Sequence, residues 1–195
     1  MLKEKKTKFT ISLIAVVALL LLVEGSSFAQ DTKTKREYIQ AQAMGESTQL
    51  GQSFAVTVII EEYSTADDQK ILIDAFNTKG NEGVVNALNK MKSKGRISIT
   101  GTLGYDVNYI RQFPNPDGSR KVRLVTNRPI RFGEAWTDSR SMEYSLSGME
   151  VILTTDKKKS SGTLLPAFKF DLDKEKELRF ELLQNPWKLV NIMVR

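Results

Sequence analysis

An alternation of apolar and polar residues between positions 95 and 136 most constrains the fold of this chain. A period of two places one face of a β-strand on a core and the other face in water. Residues 114–119 interrupt the alternation with proline, asparagine, aspartate and glycine, which favour tight turns. The pattern therefore predicts one long β-hairpin over 95–136. Its inward side chains are Ile97, Ile99, Leu103, Tyr105, Val107, Tyr109, Val122, Leu124, Ile130 and Phe132.

Further strands and a helical region are predicted around this hairpin. The alternation changes phase near Gly148, which predicts a β-bulge there. Between the second strand and the hairpin the period becomes helical, with Ser64 or Thr65 as a first cap, a break at Gly80 and a second cap at Asn81. The remaining predicted strands cover residues 38–44, 53–61, 142–153, 164–172, 178–182 and 187–194.

This order of elements predicts an α+β domain. The expected architecture is one curved antiparallel sheet of about six to seven strands, with a pair of short helices inserted after the second strand. The links that follow Gly95 are short enough for antiparallel neighbours. The helix pair would pack on one face of the sheet or close an open barrel.

The amino-terminal residues are typical of a signal peptide. Lysines dominate residues 1–8, an apolar run follows over 9–23, and Ser27-Phe28-Ala29 has the form that a signal peptidase cuts. The run is shorter than the ~20 residues that a membrane-spanning helix needs, although an uncleaved anchor is the alternative. The sequence therefore predicts a signal peptide over 1–29 and a single domain over 30–195, with 30–36 as a flexible start. Location in the periplasm or outside the cell follows.

The chain has no cysteine and no histidine. Zinc, copper and non-haem iron sites depend on thiolate or imidazole, so we expect no metal of this kind and no cofactor. Ser-His-Asp and Cys-His catalysis are excluded. The formal charge of +6 falls to about +4 without the predicted signal peptide, which does not suggest a nucleic-acid partner. No later stretch is apolar enough to predict a membrane span.

Basic side chains on the central hairpin form the first candidate site. They are Arg111, Arg120, Lys121, Arg123, Arg128 and Arg131. Arg123 and Arg131 have the phase opposite to the apolar positions and should share the outward face. Arginine forks fit phosphate and carboxylate groups, so we predict an anion-binding surface at Arg111, Arg123, Arg128 and Arg131. The alternative is a solvated sheet face that carries charges against edge pairing.

Carboxylates offer a second candidate. Glu61, Glu62, Asp67 and Asp68 are close in sequence and could form an acid/base pair or a Ca²⁺ site. Helix capping and a charged strand end are the alternative reading. A glycoside hydrolase would need two such groups about 5–10 Å apart, and Asp106 is a further candidate.

Two weaker candidates remain. Aromatic residues could line a pocket for a hydrophobic molecule or could form a core: Tyr105, Tyr109, Phe113, Phe132, Trp136 and Trp187. Ser161 follows Lys157, Lys158 and Lys159, which could form a Ser-Lys nucleophile pair, but lysines in a charged turn stay protonated.

Three short segments carry a family resemblance. Residues 95–101 (GRISITG), 127–134 (NRPIRFGE) and 184–189 (QNPWKL) resemble a group of exported bacterial proteins of no assigned function. The resemblance implies a bacterial, exported protein and transfers no site residue. The absence of histidine and cysteine separately favours a non-enzymatic binding or interaction protein whose ligand is anionic or hydrophobic. The alternatives are a carboxylate-based hydrolase of cell-wall or environmental polymer and a carrier of a hydrophobic small molecule.

Overall fold

Ten β-strands form one antiparallel sheet in the computed structural model, which describes residues 36–130, 143–172, 178–183 and 185–195. Across the sheet the order is β4-β3-β2-β1-β10-β8-β7-β6-β5, and β9 pairs with β8. The strands are β1 (Glu37–Met44), β2 (Ser53–Ile60), β3 (Gly95–Ile99), β4 (Tyr105–Val107), β5 (Tyr109–Pro114), β6 (Arg120–Thr126), β7 (Leu146–Leu153), β8 (Ser161–Leu172), β9 (Leu178–Leu182) and β10 (Trp187–Val194). The predicted α+β class and curved antiparallel sheet are confirmed, whereas the predicted six to seven strands are too few.

The sheet nearly closes into a barrel at Asn108. This residue alone separates β4 from β5, although these strands lie at opposite edges of the sheet. Val107 and Ile110 pack in the interior, whereas Tyr109 between them packs on the outside. The Asn108 side chain donates a hydrogen bond of 3.0 Å to the Met91 carbonyl, which holds the bend. The chain therefore turns at this position from one edge of the sheet to the other.

The interior of the barrel is filled by apolar side chains that alternate along each strand. Burial of this kind is the main favourable contribution to folding. Ile97, Val122 and Leu124 are among these residues, as the alternation predicts. Trp187 is 1% exposed and contacts Phe54, with ring centroids 4.6 Å apart and ring planes tilted by 53°.

The predicted single hairpin over 95–136 is wrong, because the structure divides it into two. β3 pairs with β4, and β5 pairs with β6. Gly101 and Gly104 have φ angles of +82° and +83°, which let the chain reverse between β3 and β4. Leu103, expected inside, lies in this turn and is 92% exposed. This division and the bend at Asn108 account for part of the larger strand number.

A helical region, α1 (Ala66–Lys90), lies where the pair of helices was predicted. Thr65 caps it, with the Thr65 hydroxyl accepting from the Asp68 amide and the Asp68 carboxylate accepting from the Thr65 amide. Its helical geometry is interrupted where the break was predicted, because Lys79 and Gly80 have non-helical backbone angles. Asn81 is not a cap. Its side chain instead exchanges hydrogen bonds of 2.8 and 2.7 Å with the backbone of Phe170.

The helix covers part of the outer face of the sheet. Val84 and Leu88 pack against Tyr109, Leu146 and Phe168 in a second, smaller core. Leu146 reaches this outer core while Met149 enters the interior, as the phase change predicts. The irregularity lies between Leu146 and Gly148 in the pairing with β8, and the extra residue belongs to β8. No helix among the described residues combines the length and apolar character needed to cross a membrane.

Candidate anion-binding site on the outer face

Two of the four predicted arginines lie together on the outer face of the sheet. Arg111 of β5 and Arg123 of β6 are direct cross-strand partners. Arg128 is exposed in the segment after β6, where its Nε donates to Asn127 Oδ1 at 3.2 Å. Arg131, like Phe132 and Trp136, lies outside the described residues. The site is therefore built on Arg111 and Arg123.

The Phe113 ring lies beside both guanidinium groups. The Arg111 Cζ atom is 5.3 Å from the ring centroid, and the Arg123 Cζ atom is 5.6 Å from it. Contacts of this length are within the range of a cation–π interaction. Arg111 also donates to the amide oxygen of Gln69 on α1. The ring and the helix thus hold the half-buried Arg111 and the exposed Arg123 side by side.

The local charge balance is positive. Like charges directly opposite on neighbouring strands destabilise a sheet. Glu150 of β7 accepts from Arg123 Nε and lies 3.6 Å from Lys121 Nζ. In the described part of the chain, Glu150 is the only carboxylate paired with these cations. Arg111 therefore keeps its charge beside Arg123 without a carboxylate of its own.

Tyr109 lies next to Arg111 on the same strand face. Its pKa is raised above its ordinary value because the hydroxyl is partly buried, and the hydrogen bond and charge of Arg111 lower it in part. The hydroxyl thus remains protonated at neutral pH and adds a neutral polar group beside the arginines.

The arginine pair continues into a row of polar residues across the sheet. Arg123 is opposite Glu150, Glu150 opposite Thr163, and Thr163 opposite Lys188. A surface groove of about 450 Å³ lies over the far part of this row. Its lining residues are Glu46, Glu150, Ile152, Ser161, Gly162, Thr163, Pro186 and Lys188. The sequence could place Lys188 outward by alternation, but its position beside Thr163 depends on the strand order.

Arg120, grouped by sequence with the outward cations, instead points to the end of the barrel interior. Its guanidinium donates to Glu37, to Tyr63 Oη at 3.0 Å and to Gln112 Oε1 at 3.0 Å. Tyr63 in turn donates to Glu37 Oε2 at 2.7 Å. Because Glu37 belongs to β1, Arg120 links β6 to the other side of the barrel.

The predicted acidic site separates into local contacts. Glu61 pairs with Arg36 at 3.1 Å, and Asp106 pairs with Arg96 at 3.5 Å. Glu62 and Asp68 both approach Lys94, at 2.9 and 3.8 Å, and Asp68 also caps the helix. Within the described ranges, no group of three or more acidic residues could hold a metal ion. These contacts agree with the alternative reading of helix capping, at Asp68, and of a charged strand end, at Glu61 and Glu62.

The other candidate residues occupy different environments. Tyr105 and Trp187 pack with the interior core, Tyr109 packs beneath the helix, and Phe113 is on the outer face. The described aromatic residues therefore do not line one pocket. Ser161 begins β8 and lines the outer groove, while Lys159 lies 4.0 Å from Asp156.

Comparisons with protein-family models, with curated proteins and with solved structures gave no match to this chain. The resemblance to exported bacterial proteins thus stays a prediction.

Proposed function

We propose that this protein is a non-enzymatic binding protein that holds an anionic ligand on the outer face of its barrel. The observation that carries the proposal is the cross-strand pairing of Arg111 with Arg123 beside one Phe113 ring. Each guanidinium can present parallel N–H donors to a phosphate or carboxylate group. A bound anion would also offset the repulsion between the two cations.

An exported location is part of the proposal. Its support is the lysine-rich start, the apolar run over 9–23 and the Ser27-Phe28-Ala29 sequence. The test is expression of the full chain in a bacterium, cell fractionation and mass spectrometry of the recovered protein. We expect a periplasmic or secreted product that begins at Gln30. A cytoplasmic product that retains Met1 would contradict the exported location.

The binding test uses inorganic tripolyphosphate as the probe. Isothermal titration of the purified protein should give saturable binding that weakens as salt rises, because arginine–phosphate contacts at an exposed surface are screened. We expect Arg111→Gln and Arg123→Gln each to weaken binding by about tenfold. Lys158→Gln, an exposed lysine in a short 3₁₀ turn, is the matched control and should bind like wild type. Equal affinity in all four proteins would overturn the proposal.

A further inference from the structure

A small apolar cavity lies directly beside Arg123 of the arginine pair. Its volume is about 240 Å³. The half-buried side chains of Val125 on β6 and Leu165 on β8 form its two walls, and Gly148 on β7 lies between them. Pairing in the sheet sets this arrangement, since Val125 is opposite Gly148 and Gly148 is opposite Leu165. The cavity therefore belongs to the same outer face as Arg111 and Arg123.

Gly148 makes the cavity possible. A side chain there would stand between Val125 and Leu165, and its Cβ would lie 3.0 Å from the Leu124 carbonyl oxygen and 3.1 Å from Phe168 Cε1. Phe168 itself is 1% exposed and forms the floor. The absence of a side chain at Gly148 leaves a depression whose accessible walls are aliphatic.

The cavity and the arginine pair are within reach of one small molecule. Arg123 and Val125 lie on the same face of β6 two residues apart, which corresponds to about 7 Å along a strand. Arg123 also lines the cavity. Glu150 and Thr163, which neighbour Arg123 across the sheet, line the same end of the cavity, and the Glu150 carboxylate would repel a negative charge placed over β7. The favoured ligand thus has one anionic end and one uncharged, apolar end.

We propose that the cavity and the arginine pair form a single site for a small amphiphilic anion, namely a carboxylate that carries one aromatic ring or a short alkyl chain. The carboxylate contacts Arg111 and Arg123, and the apolar part lies between Val125 and Leu165. This inference rests on the proposed function, because the same arginines hold the anionic end. It adds the ligand class, which a bare anion site does not specify.

The test compares acetate, phenylacetate and neutral phenylacetamide by amide chemical-shift titration of the purified protein. Acetate and phenylacetate differ by the ring, and phenylacetate and phenylacetamide differ by the charge. We expect phenylacetate to bind about tenfold more tightly than acetate, because ring burial adds to the charge contact. Phenylacetamide should bind more weakly than phenylacetate. Shifts should include the amides of Val125, Gly148 and Leu165.

Two substitutions of Val125, at one cavity wall, separate the contribution of the apolar cavity to binding from that of the arginines. Val125→Phe fills the cavity with a ring and should reduce phenylacetate binding to the level of acetate. Val125→Thr keeps the shape of the side chain and adds a hydroxyl, so it should reduce the preference for phenylacetate over acetate several-fold. This variant is used if the larger phenylalanine side chain prevents folding. Lys158→Gln is again the control.

The outcomes distinguish this inference from the proposed function. Tripolyphosphate binding with no preference for phenylacetate over acetate would overturn the amphiphilic site and leave the anion site intact. Failure of tripolyphosphate and both carboxylates to bind would overturn both. Phenylacetate binding that is unchanged in Arg111→Gln and Arg123→Gln would show a hydrophobic pocket that acts without the arginines, which also contradicts the inference.

Discussion

The Tyr63 hydroxyl donates a hydrogen bond of 2.7 Å to Glu37 Oε2, and Arg120 donates to both of these side chains. Glu37 belongs to β1 and Arg120 to β6, which are separated by β10, β8 and β7 in the sheet order. The network therefore joins distant strands at one end of the barrel. Side chains placed this way stabilise the curvature that brings the edges of the sheet together.

Removal of the Tyr63 hydroxyl tests this role. Tyr63→Phe should lower the free energy of unfolding by about 1 kcal/mol at pH 7, the usual value of one net hydrogen bond. Tyr38→Phe is the control, since Tyr38 is an exposed tyrosine on β1. Denaturant unfolding of the three proteins measures the difference. Equal losses in both variants would contradict a specific role for the network.

Wild type and Tyr63→Phe should also differ in how their stability depends on alkaline pH. Burial, followed by the hydrogen bond and charge of Glu37, raises the pKa of Tyr63 above its ordinary value of 10.0. The unfolded chain then ionises first as pH rises, so the stabilisation is complete below pH 10 and declines above it. Wild type should lose stability between pH 9 and 11 more steeply than Tyr63→Phe. Thermal unfolding across this range gives the comparison, and parallel curves would contradict it.

Part of the fold and of the site follows from local sequence. Alternation places Val122 and Leu124 inward and Arg123 outward, and the turn at 115–119 sets the register that puts Arg111 opposite Arg123. Arg120 has the phase of Val122, so its inward position was available from the same pattern. Nearness in sequence to Lys121 and Arg123 therefore does not place Arg120 on the outward face.

The rest depends on contacts between distant parts of the chain. Glu150, Thr163 and Lys188 form one row only because β8 pairs with both β7 and β10. The alternation over 95–109 predicts one continuous strand through Asn108. It could not reveal that the chain turns there, with a phase shift of one residue, and passes from one edge of the sheet to the other. Gly80 correctly predicts the break within α1, where helical geometry is lost, but the packing of Val84 and Leu88 on the sheet depends on the strand order.

Asn81 should be important for holding that helix on the sheet. Its amide group makes two hydrogen bonds with the Phe170 backbone. Asn81→Ala removes both and should cost about 2 kcal/mol in the free energy of unfolding. Asn86→Ala is the matched control, because Asn86 is exposed on the same helix. Hydrogen exchange should show loss of protection in α1 in the first variant. Similar unfolding free energies would contradict the anchoring role.

Asp117 should make the turn between β5 and β6 sensitive to acid. Its Oδ1 accepts from the Ser119 hydroxyl at 2.6 Å and from the Ser119 amide at 2.9 Å, and these bonds lower the pKa of Asp117. Stabilisation by this carboxylate is present above the unfolded-state pKa near 3.8 and is lost as pH falls below it.

Asp117→Asn keeps an acceptor but does not titrate. The stability advantage of wild type over this variant should therefore shrink as pH falls from 5 toward 2.5. Asp74→Asn on the exposed surface of α1 is the control. Urea unfolding at each pH measures the difference. A constant advantage across the range would contradict the prediction.

Arg111 should serve binding rather than stability. Arg111 and Arg123 carry like charges at directly opposed positions. Their repulsion destabilises the pairing of β5 with β6 and opposes burial of either side chain. Arg111→Gln should therefore change the free energy of unfolding by no more than about 0.5 kcal/mol, with any gain largest at low salt.

Wild type should become more stable as tripolyphosphate is added, since a ligand that binds the folded state stabilises it. Arg111→Gln should show a smaller increase. Urea unfolding of both proteins, with and without tripolyphosphate, gives the measurement. A large loss of stability in the variant without ligand would mean that Arg111 is structural, and the binding role would then have to rest on Arg123.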